Sequence, residues 1–255
     1  IATLRSLKAQ DFAIANDARR QALAMALLAC LGSPDPELRD DIAFGAHSRW
    51  MRSKALPVET LRALSSRLQA QLPAGKPDGD GFGKPFAALV LSEVARTDRI
   101  VPWMTSDERR SLIDNGTAYL ASVRDYRGFI DGQGWRHGVA HGADMMLQLS
   151  LNPALDKAQL DQLLAALASQ VPAHGGHAYV HGEPGRLALP VLYIAKRNLH
   201  SQEEWAAWLA ARAQLPEGVA ADAVYRSQAA LAWRSNVQAF LLQLYLSANE
   251  SGDAE

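Results

Sequence analysis

The segment DYRGFIDGQGWRHGVAHGADMMLQL, residues 125–149, decides the fold and carries most of the side chains that suggest a site. It opens as a polar loop with several glycines and continues as an apolar run with helical spacing. Gly132 and Gly134 supply backbone freedom immediately before Trp135, where the helical spacing starts. We therefore predict a helix that begins at about Trp135 and ends at Asn152.

Three polar side chains of this helix are predicted to share one face. At about 100° per residue, His137, His141 and Asp144 fall on a single narrow stripe. The residues around that stripe are apolar, so the helix is expected to be packed on most sides. A buried polar group without a partner costs about 1–3 kcal/mol, so we expect the stripe to face a cleft where it is hydrogen-bonded or binds a ligand.

The rest of the chain is predicted to be helical, because no segment shows the strict alternation of a strand. Predicted helices span about residues 11–31, 35–54, 57–72, 86–95, 105–123, 156–170, 187–199, 203–213 and 221–248. Helix pairs recur roughly every 35 to 45 residues, as in α-solenoids. We predict an all-α fold in which helical hairpins stack as a HEAT-like α-α superhelix, in a single domain of residues 1–255.

Composition excludes several classes of partner. The 26 Lys and Arg residues and the 27 Asp and Glu residues nearly cancel and are interspersed, so neither nucleic acid nor an anionic membrane is an expected partner. No apolar run reaches the roughly 18 residues of a membrane span, which predicts a soluble protein without membrane insertion. Cys30, expected to be a small buried side chain, is the only cysteine and excludes an intramolecular disulfide.

The compartment stays open. The sequence starts at Ile1 rather than at methionine, which fits either a cleaved leader or missing residues. A lone cysteine fits an oxidising or a reducing compartment, so export with a cleaved leader remains one of the alternatives.

A second polar loop, residues 171–185, contains three histidines and leads to Glu183 and Arg186 at the start of the next helix. A glutamate at this place is expected for helix capping alone. If the two residues reach the His137 stripe, Glu183 becomes a candidate general base and Arg186 a candidate anion clamp.

The pattern Asp125-x-Arg127-Gly128 followed by Gly134-Trp135-x-His137-x-x-x-His141-Gly142-Ala143-Asp144 resembles the bacterial domain of unknown function family 2785. Gly182-Glu183-x-x-Arg186-Leu187-Ala188 supports the resemblance, which spans most of the chain. It implies an all-helical, HEAT-like fold and no particular activity. His174, His177 and His181 have no counterpart in the family pattern, so they are left out of the predicted site.

Zinc is the metal that the stripe would suit. Histidines four residues apart on a helix can direct ring nitrogens at one ion about 2.0–2.1 Å away, and Asp144 would complete a three-ligand site with room for water. The glutamate of the metalloprotease signature HExxH is absent after the first histidine. A purely structural network is the other interpretation, in which Arg127 pairs with Asp125 or Asp144.

Two functions from different classes therefore stay open. The first is a HEAT-like scaffold whose polar cleft binds a peptide or small ligand without any required cofactor. The second is a zinc-dependent hydrolase that uses the same residues, with Glu183 or Asp144 as the catalytic candidate. The residues predicted to line the cleft are Asp125, Arg127, Trp135, His137, His141, Asp144, Glu183 and Arg186.

Overall fold

The computed structural model describes residues 2–76, 78–215 and 221–251. The predicted all-α class is confirmed, and the helices form a single domain with one short hairpin. The limits 1–255 of that domain remain a prediction. No helix within those three ranges is both long enough and apolar enough to cross a membrane.

The elements follow one another with short connections. The helices are α1 (Ala2–Ala9), α2 (Asp17–Leu27), α3 (Gly45–Arg52), α4 (Val58–Gln69), α5 (Gly83–Ile100), α6 (Ser106–Ser122), α7 (Gly138–Ser150), α8 (Lys157–Ala168), α9 (Glu183–Ala195), α10 (Gln202–Ala213) and α11 (Gln228–Glu250). Strands β1 (Phe129–Ile130) and β2 (Gly134–Trp135) pair in antiparallel fashion between α6 and α7. A π-helical segment, Glu37–Phe44, runs directly into α3.

Helix α7 lies at the centre of the packing, because it contacts α5, α6, α8 and α9. Its side chains Val139, Met145, Met146 and Leu149 belong to the hydrophobic core. The sequence predicted this burial from the apolar residues around the polar stripe. His141 is therefore held among core side chains rather than on a solvated surface.

Helices two apart in the chain contact each other. One series runs from α3 to α5, α7, α9 and α11, and the other runs from α2 to α4, α6 and α8. Stacked helical hairpins produce this alternation, because each hairpin packs on the next. The superhelical, HEAT-like arrangement itself remains a prediction.

Two glycines set the close approach of α6 and α7. A Cβ atom on Gly116 would lie 1.8 Å from Met145 Cε, and one on Gly142 would lie 2.9 Å from Leu120 Cδ1. Such contacts are shorter than atoms tolerate, so an alanine at either position would force Met145 or Leu120 to move. This packing fixes α7, and with it His141, relative to the rest of the core.

The first predicted helix is wrong at its start. Residues 11–31 were expected to form one helix, but α2 begins at Asp17 and a separate helix, α1, precedes it. Asp11 and Phe12 have φ values of 53° and 58° and end α1 in a left-handed turn. Tertiary contacts hold that turn, since the Phe12 carbonyl accepts a hydrogen bond from Trp50 Nε1 at 2.8 Å.

The boundaries of other helices also differ from those predicted. Helix α5 extends to Ile100 rather than to Ala95, and α9 starts at Glu183 rather than at Leu187. The last predicted helix begins as a 3-10 turn, residues 221–226, before α11 starts at Gln228. Cys30 is only partly buried against the core, and burial raises the pKa of its thiol.

Candidate functional site

The glycines before Trp135 form a hairpin rather than the entry to a helix. Gly132 and Gly134 have φ values of 75° and 76°, and Phe129 pairs with Trp135 across the two strands. Hydrogen bonds between the two chain segments continue past the strands, since the His137 amide donates to the Arg127 carbonyl at 3.2 Å. The predicted helix start at Trp135 is therefore wrong.

His137 is the residue before α7, not a member of it. Its φ of 56° and ψ of 40° place it in the left-handed region, and its carbonyl accepts the His141 amide at 2.9 Å to start the helix. The predicted stripe of three residues on one helix is thus wrong at His137. The left-handed turn nevertheless brings the two imidazole ring centroids to within 6.0 Å of each other.

Four side chains form what we call the histidine–glutamate cluster: His137, His141, His181 and Glu183. Glu183 is the first residue of α9 and is 3% exposed. Its Oε2 accepts the His181 amide at 2.9 Å. Its Oε1 lies 3.8 Å from His137 Nε2 and 3.9 Å from His181 Nδ1. Both of these distances exceed those of hydrogen bonds, so one carboxylate oxygen faces two imidazoles without bonding either.

The hydrogen-bond partner of His137 determines which of its two ring nitrogens carries the proton. Nε2 lies 3.2 Å from the His181 carbonyl oxygen, which only accepts, so Nε2 carries the hydrogen and Nδ1 keeps the lone pair. Burial lowers the pKa of His137, while the charge of Glu183 acts in the opposite direction. The ring stacks on Trp135 with centroids 4.4 Å apart. His137 is therefore a neutral imidazole in a defined tautomer at neutral pH.

His141 is the most deeply buried member of the cluster that carries a ring. Its pKa is lowered to about 3, chiefly by burial and in smaller part by the charges of His137 and Arg186. Its ring meets the Phe86 ring edge to face, with centroids 5.0 Å apart. Its Nδ1 is buried without a hydrogen-bond partner, as is Nδ1 of His181. Buried unpaired nitrogens are rare in folded proteins, so these two lack a partner that the surrounding side chains do not supply.

Asp144 pairs with Arg186. Both carboxylate oxygens accept from Arg186 Nη1, one of them at 2.5 Å. Burial raises the pKa of Asp144, and the arginine charge opposes that rise. The exposed fractions of the two side chains are 20% and 49%, so the pair lies at the edge of the cluster.

This geometry does not support the predicted zinc site. Among the described residues, no group of three or more His, Cys, Asp or Glu side chains has an arrangement that could hold a metal ion. In the proposed ligand set, His137 lies outside the helix and Asp144 is turned to Arg186. The donors of the set therefore do not converge on one point.

Asp125 and Arg127 lie in a neighbouring cavity. Arg127 Nε donates to Asp125 Oδ1 at 2.8 Å, so of the two partners considered for this arginine the structure has Asp125. With Lys84 and Arg136 they line a cavity of about 290 Å³, to which His137 does not contribute. Of the predicted cleft residues, Asp125 and Arg127 thus line this cavity, whereas His137, His141 and Glu183 belong to the histidine–glutamate cluster.

Sequence reasoning missed two residues. His181 was left out, yet it contacts both His137 and Glu183. Its place is visible only in the structure, where a Cβ on Gly128 would lie 2.2 Å from His181 Nδ1. Arg136 was not considered either; it is 4% exposed and stacks over the Phe82 ring at 4.1 Å.

A comparison with protein families adds one finding. The family model described as "Protein of unknown function (DUF2785)" matches residues 74–246, which is more than half of the chain. The matched region contains the whole histidine–glutamate cluster, both ion pairs described above and the hairpin. No curated protein and no solved structure matches the chain.

Proposed function

Because the chain belongs to the DUF2785 family, which has no assigned activity, we propose from the geometry alone that the histidine–glutamate cluster binds a small polar ligand or a short peptide. One observation carries the proposal. Glu183 Oε1 is buried and faces two imidazoles at 3.8 and 3.9 Å without a hydrogen bond to either. A polar group of a ligand that lies beside Glu183 Oε1 and His181 Nδ1 would form hydrogen bonds with both atoms.

The energetic reason is the cost of unpaired polar atoms. A buried donor or acceptor without a partner costs about 1–3 kcal/mol, and Nδ1 of His141 and of His181 are both in that state. A ligand that supplies hydroxyl, amine or amide groups would recover part of that cost on binding. The carboxylate of Glu183 accepts hydrogen bonds only, so the ligand needs at least one donor group.

The rim of the cluster suits a ligand with a flat or apolar face. Trp135 and Phe129 are 37% and 46% exposed, and their rings meet edge to face with centroids 5.1 Å apart. Arg186 is also half-exposed at the other edge. Small-molecule sites combine aromatic side chains with a few polar groups that orient the ligand, and the cluster with its rim offers both.

Acid–base catalysis is a second candidate function, supported by the orientation of His137. Its Nε2 hydrogen points to the His181 carbonyl and to Glu183, which leaves a basic lone pair on Nδ1 of a neutral ring. The His181 carbonyl that accepts from Nε2 fixes the tautomer and orientation of the imidazole, which a general base needs from its hydrogen-bond partner. We therefore propose the hydrolytic alternative in a form that does not require a metal, with Glu183 as a positioning residue that acts through His181, whose amide donates to it.

A ligand screen by thermal unfolding tests the first proposal. The panel contains monosaccharides, disaccharides, nucleosides, hydroxy acids and dipeptides. The proteins are the natural chain, Glu183→Gln, and Glu59→Gln as control, since Glu59 is an exposed residue in the first turn of another helix. A ligand at about one hundred times its Kd stabilises by about 2.7 kcal/mol, which raises Tm by roughly 5–10 °C.

We expect at least one class of compound to raise Tm of the natural chain and of Glu59→Gln, and to leave Glu183→Gln unchanged. The glutamine retains an acceptor for the His181 amide, so loss of fold is not expected. The proposal is wrong if no compound shifts the natural chain, or if every active compound shifts Glu183→Gln equally.

A further inference from the structure

A second depression lies between the end of α3 and the end of α5, which we call the α3–α5 groove. It has a volume of about 400 Å³. Its base consists of the buried side chains Met51, Leu56 and Leu61, and its rim includes Ile100 and Val101. The two rim residues are 44% and 51% exposed, so an apolar surface is open to solvent.

The polar residues of the groove are cationic. Arg52, Lys54 and Arg96 line it, and no carboxylate does. Arg52 is paired with the buried Glu93, at 2.5 Å. In the described part of the chain, Lys54 and Arg96 form neither an ion pair nor a hydrogen bond through their side chains. The groove therefore combines an apolar base with two uncompensated positive charges.

We propose that the α3–α5 groove binds a free alkyl carboxylate, that is, a fatty acid. The alkyl chain would cover Met51, Leu56 and Leu61, and the carboxylate would lie at Lys54 and Arg96. Charge complementarity selects this class, because a neutral apolar ligand uses neither cation and a purely anionic ligand uses none of the apolar base. The volume lies within the roughly 300–1,000 Å³ of small-molecule sites.

The inference is independent of the proposed function. The groove shares no lining residue with the histidine–glutamate cluster. Titration calorimetry with dodecanoate below its micelle concentration tests it, with dodecylammonium as the ligand of opposite charge. The variants are Arg96→Gln, which removes one cation, and Ile100→Glu, which places a carboxylate on the rim. Arg110→Gln is the control, since Arg110 is an exposed arginine of α6 outside the groove.

Dodecanoate should bind the natural chain and Arg110→Gln with equal affinity. We expect Arg96→Gln to weaken binding about tenfold, because a charge-assisted contact is lost. Ile100→Glu should abolish binding at an unchanged Tm. Should its Tm fall, Val101→Glu replaces it, since that residue is more exposed.

Three outcomes overturn the proposal. Dodecylammonium that binds as tightly as dodecanoate would show that the cations do not select the ligand. If Arg96→Gln and Ile100→Glu bind dodecanoate as tightly as the natural chain does, the ligand does not bind in the groove. Co-sedimentation with anionic phospholipid vesicles, without binding of monomeric dodecanoate, would make the groove a membrane contact instead.

Discussion

Acidification should destabilise the protein through His141. The folded chain holds the pKa of this imidazole at about 3, whereas the ordinary value is 6.5. Between these two pH values the unfolded chain binds one proton more than the folded chain does. The free energy of unfolding therefore falls as pH decreases, by about 1.4 kcal/mol per pH unit, and reaches a loss of about 2 kcal/mol at about pH 5. Above the ordinary pKa, His141 is neutral in both the folded and the unfolded chain and no longer makes the free energy of unfolding depend on pH.

Urea unfolding followed by circular dichroism measures this loss, at about pH 7.5 and about pH 5. The comparison is between the natural chain and His141→Leu, which keeps an apolar side chain of similar size beside Phe86 and removes the titrating group. The pKa of His137 is lowered too, but that residue is present in both proteins and cancels in the difference. We expect the variant to lose about 2 kcal/mol less than the natural chain on acidification. Equal losses would show that His141 is not held neutral by burial, and the account of the cluster would be wrong.

Two substitutions test other contacts. Gly128→Ala places a Cβ 2.2 Å from His181 Nδ1 and should displace that ring, so the ligand-induced rise in Tm should disappear. Gly132→Ala is the control, because its Cβ would meet no atom within 4 Å. It should keep the rise in Tm, although its φ of 75° costs about 1 kcal/mol of strain. Asp144→Asn removes the ion pair with Arg186, which is half-exposed, so the free energy of unfolding in urea should fall by less than about 1 kcal/mol, and less at high salt. A larger loss would mean that Asp144 has a structural role beyond this pair.

The helical class could be predicted because the apolar spacing of segments such as 138–150 is local information. The start of α7 could not be predicted from the sequence. Glycine with positive φ serves a hairpin turn as well as a helix entry, and the choice depends on the pairing of Phe129 with Trp135. The left-handed conformation of His137 follows from that hairpin and has no signal of its own.

The site was predicted in part for the same reason. His141 and Asp144 are three residues apart on α7, so their proximity is a property of any helix. Glu183, His181 and Arg186 reach α7 only because α9 packs against it, and that contact is set by the core. The packing of the described residues does not support the zinc hypothesis, since Arg186 pairs with the carboxylate that the metal would need.

Long-range proton–nitrogen NMR spectra of the histidine rings test the proposed binding site most directly. The sample is the natural chain, with and without the compound that raises Tm most in the screen. On saturation, the NMR signals of the ring nitrogens of His137 and His181 should shift, while those of His200, which is hydrogen-bonded to Asp161 and is not a member of the cluster, should not. If the compound binds and the His137 and His181 signals stay where they are, the ligand is elsewhere and the histidine–glutamate cluster is not the site.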